Sequence, residues 1–148
     1  QVVLDAITFA EPEIRRRQLE VNTDLDPGLP PVEGDPIELQ QVVLNLLVNG
    51  AQSMDQSSVR RIDVQSSCTD GHADVVVRDY GSGIEESKRG RLFEPFFTTR
   101  PDGTGMGLAI NRTIIEAHRG RIWAQQNEDI GTTFCFRLPI CSEAPSST

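Results

Sequence analysis

The 148-residue sequence is poor in cysteine: Cys68, Cys135 and Cys141 are the whole set, with no C-x-x-C spacing among them. An odd, scattered trio excludes a disulfide framework and offers no zinc knuckle, which favours a reducing, cytoplasmic setting. Basic residues are also in deficit, 14 Lys and Arg against 22 Asp and Glu, for a net charge of −8 and a sequence pI near 4.7. That balance disfavours nucleic acid as a partner, because its backbone demands a basic face. No apolar run approaches the roughly 20 residues of a membrane span, and no charged n-region with an apolar stretch opens the chain. Direct membrane contact is therefore not expected, although a larger parent protein would be free to carry a membrane anchor. The start at Gln1, in helix-like sequence without a methionine, reads as a piece of such a parent, and residues 141–148 have a disordered composition. What remains, residues 1–140, is enough for one ordinary domain whose core needs no staple.

Against these absences stands "ELQQVVLNLLVNGAQSM", residues 38–54, in which Asn45 and Asn49 interrupt an apolar run. Four residues is just over one helical turn, so both amides project from one face, extended by Glu38, Gln41 and Gln52. A solvated stripe is the ordinary explanation of such a face. Asparagine is nevertheless a poor helix former, costing roughly 0.5 kcal/mol against alanine, where solvent faces usually carry Lys, Glu or Arg. Some other requirement selects the amides.

Residues 1–19 read as a helix with apolar Val3, Ala6, Ile7 and Ala10, interrupted near Pro12, and Leu19 to Leu25 alternates like a strand. Asp35 before Pro36 is a cap and first-turn signature, opening a helix to about Met54. "RRIDVQSSCTDGHADVVVRDY" reads as two strands about the tight-turn dipeptide Asp70-Gly71. Met106 to Ala117 has helical periodicity, and Gly120 to Gln126 and Thr132 to Leu138 read as a final strand pair. The order predicts an α+β fold, a two-layer sandwich with helices on one face of a mixed, mostly antiparallel sheet.

Three glycine patches remain: "RDYGSGIEE", "RPDGTGMGLAI" and "EDIGTTF". Each alone commonly marks a turn. The second enters a helix, whose free N–H groups and dipole suit phosphate; it lacks the Lys-Ser/Thr of a P-loop and does not follow a strand as a Rossmann fingerprint must. In the first, Asp79 beside Gly81 and Gly83 is either a turn aspartate or a carboxylate that can accept a hydrogen bond from an exocyclic amine such as adenine N6.

Taken as an ordered set, these stretches resemble the ATP-binding catalytic domain of sensor histidine kinases, in the GHKL superfamily that also holds gyrase, MutL and heat-shock chaperone ATPases. "LNLLVNGAQSM" looks like the N box, "DYGSGI" the first glycine box, "LFEPFFTTR" the F box, "GTGMGL" the second glycine box and "GTTF" the closing adenine-side motif. The wording "EPFFTTRPDGTGMGLAI" is most similar to FixL and NtrB-like two-component kinases. The resemblance implies the Bergerat ATP-binding fold, with ATP between helices and sheet under a mobile lid spanning about residues 95–106. It implies that Asn49 gives its side-chain oxygen to Mg²⁺ and that Asn45 faces the same metal and phosphate region. It further implies that Asp79 takes adenine N6, that Gly81 and Gly83 allow close backbone approach, and that Thr132 supports the adenine edge. Gly103, Gly105 and Gly107 would bring N–H groups to the phosphates, Arg100 would add charge, and Thr98, Thr99, Thr104, Met106 and Leu108 would complete the nucleotide site. Gly50, Tyr80 and Arg119 depart from the common pattern, where alanine, a smaller polar residue and glycine are frequent. Lys88, Arg89 and Arg91 flank the lid, where they suit a polyphosphate or simply a solvated face. Phe93, Phe96 and Phe97 fit a lid anchor or ordinary core.

Neither His72 nor His118 has the setting of a phosphoacceptor, which in such kinases lies on a separate dimeric helical hairpin. The implied reaction is transfer of the γ-phosphoryl from Mg-ATP to that histidine, by a monomeric domain serving a response regulator receiver domain. Two alternatives are an ATP-hydrolysing conformational machine and a non-catalytic nucleotide-binding docking module. Hydrolases of the superfamily place a glutamate one turn before the metal asparagine; here the position is Asn45, an amide that cannot act as a base.

Overall fold

A computed structural model describes residues 1–30, 32–54, 58–84, 86–95 and 107–140. Its elements are α1 (Val2–Arg16), β1 (Glu20–Asp24), α2 (Pro36–Ser53), β2 (Arg61–Thr69), β3 (His72–Arg78), α3 (Glu86–Arg89), α4 (Gly107–Ala117), β4 (Arg121–Gln126) and β5 (Thr132–Pro139). The strands form one sheet in the order β1-β2-β3-β5-β4. Only the β1 and β2 pair is parallel; the other neighbours are antiparallel. The expected lid falls almost wholly in 96–106, outside the described residues, and so does the tail.

Local chemistry explains the element ends. Asp35 Oδ1 accepts from the N–H groups of Ile37 (2.9 Å) and Glu38 (3.3 Å), and Pro36 fills the first turn, where no N–H is needed. Asp70 and Gly71 both have positive φ, 50° and 78°, the backbone of a two-residue hairpin turn matched to strand twist. The expected interruption near Pro12 does not occur: α1 runs through it to Arg16. Proline inside a helix removes one hydrogen bond at a cost of about 3 kcal/mol. Pro12 sits on the exposed side, while buried Val3, Ala6 and Ala10 face the other way into the core. Packing of that opposite face outweighs the local penalty.

The core lies between helices and sheet. Strand β3 alternates strictly, burying Ala73, Val75 and Val77, and α2 supplies Val42, Val43, Leu46 and Leu47, all at most 1% exposed. Phe93 joins this core, edge-on to Phe134 at 6.2 Å between ring centroids, which favours the core reading for that member of the trio. Phe96 and Phe97 lie outside the described residues.

His118 and Arg119 follow the end of α4, and Arg119 takes φ 62° while the Gly120 N–H returns to the Ile115 carbonyl. The left-handed conformation explains why glycine is frequent here: a Cβ makes it costly by about 1–2 kcal/mol. Arg119→Gly is therefore expected to stabilise the chain by about 1 kcal/mol, read from the urea midpoint. An unchanged or lowered midpoint would refute the strain.

Candidate nucleotide site

Helix α2 at Gly50, the turn after β3 and the start of β5 meet at Asp79. This carboxylate is only 2% exposed, and its Oδ1 accepts from the backbone N–H groups of Gly81 (3.0 Å) and Thr132 (3.1 Å). Asp79 and Thr132 also pair through their backbones, N–H to carbonyl at 2.9 Å. Thr132 is itself buried. Asn127, in the β4–β5 turn, donates to the Asp79 carbonyl (3.0 Å) and to that of Ile130 (2.7 Å), and accepts from the Thr133 hydroxyl. Both backbone and side chain of Asp79 are thus held by bonds within the protein.

The glycines around it serve close packing within the protein. A Cβ on Gly81 would lie 2.4 Å from the Ser53 carbonyl, at the end of α2, and one on Gly131 would lie 2.1 Å from the Asp79 carbonyl. Gly83, at φ 77°, sits against the Gln126 amide, whose Oε1 accepts the Ile84 N–H at 3.0 Å. Gly50 leaves room beside the carboxylate: a Cβ there would stand 3.3 Å from Asp79 Cβ and 3.7 Å from Oδ2.

Tyr80, the departure in the first glycine box, ties that turn to the sheet. The guanidinium groups of Arg61 and Arg78 both lie over its ring, 4.7 and 4.9 Å from the centroid. Its hydroxyl donates to Asp63 and accepts from Arg61 at 2.8 Å. The Tyr80 bond, followed by Asp63, pushes the Arg61 guanidinium up from its already high basicity. Asp129 is held below the usual carboxylate range by the Ile130 N–H foremost, with Arg78 contributing.

One α2 turn before Asn49, Asn45 is half-buried against α4. Its Nδ2 donates to Asn111 Oδ1 (3.0 Å) and points at the Gly107 carbonyl (3.5 Å), and its Oδ1 accepts from Gln41 Nε2 (3.0 Å). Gly107 and Leu108 open α4, so the end of the second glycine box does meet the N box. Thr98, Thr99, Arg100, Gly103, Thr104, Gly105 and Met106 lie outside the described residues. Of the basic flank, Arg91 pairs with Glu94 at 3.2 Å on the surface, and Lys88 and Arg89 lie on α3.

Sequence reasoning overlooked Asn111 and Asn127. Asn111 had a signal: it falls three residues after Leu108 and four before Ile115, a polar residue on the buried stripe of α4. His118 has both ring nitrogens engaged: Nδ1 lies 2.8 Å from the Ile114 carbonyl, and Nε2 accepts from the Asp35 N–H at 3.0 Å. His72 sits at the hairpin, Nδ1 near the Asp70 carbonyl.

Among the described residues no group of three or more His, Cys, Asp or Glu could hold a cation. A metal here would rely on neutral amide oxygens completed by the ligand's phosphates and water, a donor set that fits Mg²⁺.

A helical layer on a mixed sheet, with one buried carboxylate among glycine turns beside an amide-bearing helix, defines a nucleotide-binding sandwich domain. Residues 34–142 match the family model described as histidine kinase-, DNA gyrase B-, and HSP90-like ATPase, and the chain belongs to that family of ATP-binding domains. It is 42% identical over 130 residues to the sensor protein FixL of Bradyrhizobium diazoefficiens, covering 87% of this chain and 26% of FixL. The chain thus spans about a quarter of that relative's length. The nucleotide-free catalytic domain of histidine kinase ThkA superposes with a TM-score of 0.82 at 31% identity, covering 94% of this chain and 90% of that one. A ThkA complex with the response regulator protein TrrA gives 0.77 at 29% identity, over 95% and 40%. Full-length ShkA in complex with AMPPNP gives 0.84 at 26%, over 97% and 30%. Among the described residues no helix is long and apolar enough to cross a membrane.

Proposed function

We propose that this chain is the ATP-holding part of a two-component sensor kinase, which binds Mg-ATP and gives its γ-phosphoryl to a histidine on a separate dimeric helical hairpin. The observation that carries the reading is the buried Asp79 carboxylate, fixed by Gly81 and Thr132 at the junction of three sequence boxes. Its second oxygen is the natural acceptor for adenine N6. Asn45 and Asn49 hold oxygens at the phosphate end, and Gly107 begins the helix whose N-terminus faces it. Asn49, with Asn45 one helical turn earlier on the same face, would hold Mg²⁺, whose positive charge would offset the negative charge developing during transfer. The residues act by positioning, for which in-line phosphoryl transfer asks little else of a protein.

The acceptor is external in this reading. His118 is held at both ring nitrogens, and His72 lies at the β2–β3 hairpin, on the edge of the fold away from Asp79. ThkA in complex with TrrA supports a response regulator as the downstream partner, and ShkA with AMPPNP supports an adenine nucleotide.

The test is to mix the chain with its cognate histidine-bearing hairpin and labelled ATP. Acid-labile, alkali-stable phosphohistidine is expected on the hairpin only, with almost no turnover by the chain alone. Tight ATP binding without transfer would favour the docking module. Hydrolysis by the chain alone at about 1 s⁻¹ or faster, within the ordinary enzyme range, would favour the conformational machine.

A further inference from the structure

The α2–α4 contact contains a polar chain that the reaction does not obviously require. Asn111 is fully buried, at 0% exposure, where α4 packs on α2. A buried amide is retained only where its donors and acceptor are matched. Asn111 Nδ2 donates to the Val42 carbonyl (3.4 Å), and its Oδ1 accepts from Asn45 Nδ2 (3.0 Å).

Two backbone carbonyls set the polarity of this chain. A carbonyl only accepts, so Val42 O requires Asn111 to turn its nitrogen that way and its oxygen toward Asn45. The Gly107 carbonyl, 3.5 Å from Asn45 Nδ2, makes the same demand on Asn45. Both constraints leave the Asn45 oxygen pointing away from α4, where its partner is the exposed Gln41 amide at 3.0 Å. A surface glutamine is easily displaced by a ligand; the buried partner is not.

We infer that Asn111 is a positioning residue that holds the Asn45 amide with its oxygen outward, away from α4, and so sets how readily that end of the site takes Mg²⁺. The inference rests on the proposed reading of a metal at the asparagines. Without Asn111 the Asn45 nitrogen keeps only the long contact to Gly107, so that once a ligand displaces Gln41 the amide can rotate to present its nitrogen, which repels a cation. The same contact makes the metal end sensitive to the seating of α4 on α2, because Gly107 and Asn111 move with α4.

The decisive experiment titrates wild type and Asn111→Val with a non-hydrolysable ATP analogue, in excess chelator and across a series of Mg²⁺ concentrations. Metal-free affinity is expected to stay within about twofold, while the Mg²⁺ needed for half the metal-dependent gain rises roughly tenfold, as is typical when an orienting partner behind a metal ligand is lost. An unchanged Mg²⁺ requirement, or equal losses with and without metal, would overturn the inference. Wild type indifferent to Mg²⁺ would instead overturn the metal reading. For that case, or if Asn111→Val fails to fold, side-chain amide exchange of the wild type by NMR decides the orientation. The Asn45 and Asn111 amide protons should exchange at least about tenfold more slowly than those of Gln41, as buried bonds do; equal rates would overturn the inference.

Discussion

Asp79→Asn is expected to lower ATP affinity by about tenfold to a hundredfold, with the domain still unfolding cooperatively. The substitution is isosteric, so one side-chain oxygen still accepts from Gly81 and Thr132, while the other becomes an NH₂ that confronts the amine of adenine. A hydrogen bond to a charged group, worth about 1.5–3 kcal/mol, is replaced by a clash of donors. Asp79→Ala is a poorer probe: it strands two buried backbone N–H groups, each costing about 1–3 kcal/mol. It should lose stability as well as affinity. Calorimetric titration with ATP and GTP, beside a urea curve for each variant, separates the effects. An Asp79→Asn variant that binds ATP like wild type, or a wild type that prefers GTP, would remove the adenine assignment.

The second large effect concerns Asn45→Glu. From sequence alone, a carboxylate here is expected to orient water and raise hydrolysis as transfer falls. The structure adds an obstacle, because two acceptors, Asn111 Oδ1 and the Gly107 carbonyl, face the position. An ionised carboxylate offers them no hydrogen, so the single substitution should cost about 1–3 kcal/mol of stability. Phosphoryl transfer should drop at least about tenfold, as expected when a positioned polar group is misaligned. Pairing Asn45→Glu with Asn111→Ser supplies a hydroxyl that can donate, and is expected to recover stability and to show the rise in hydrolysis. Melting temperature and steady-state phosphate release report the two parts. A single variant as stable as wild type would show that the position is not selective for an amide.

What the sequence makes legible is what short-range chemistry decides. Asp35-Pro36 and Asp70-Gly71 act within three or four residues, so the α2 start and the β2–β3 turn were readable, as was the alternation of β3. Pro12 was misjudged because its cost is local while the compensation comes from burial on the opposite face of α1. The parallel seat of β1 beside β2 is set by a crossover through α2, which no local pattern encodes. Asn45 and Asp79 stood out as misfits in their segments. Asn111 was equally a misfit, but its meaning depends on two carbonyls of other elements. The glycines illustrate the remaining limit: spacing marks a close approach without saying to what, and for Gly81, Gly83 and Gly131 the neighbours are Ser53, Gln126 and Asp79.

Strand β3 ends at Arg78 and β5 begins at Thr132, yet they are sheet neighbours, joined by the Asp79 bond across 53 positions of chain. The entropy of closing so long an excursion grows only logarithmically, and doubling its length costs about 0.6 kcal/mol. Insertions in the exposed parts of that excursion are therefore cheap, and relatives can remodel the segment before α4 without disturbing the carboxylate. The β4–β5 turn has no such freedom. Asn127 and Gly131 are bonded to each other, and Asn127 also holds the Asp79 carbonyl, so one added residue there would shift Asp79 directly. Length variation among related domains should accordingly concentrate before α4 and avoid residues 127–131.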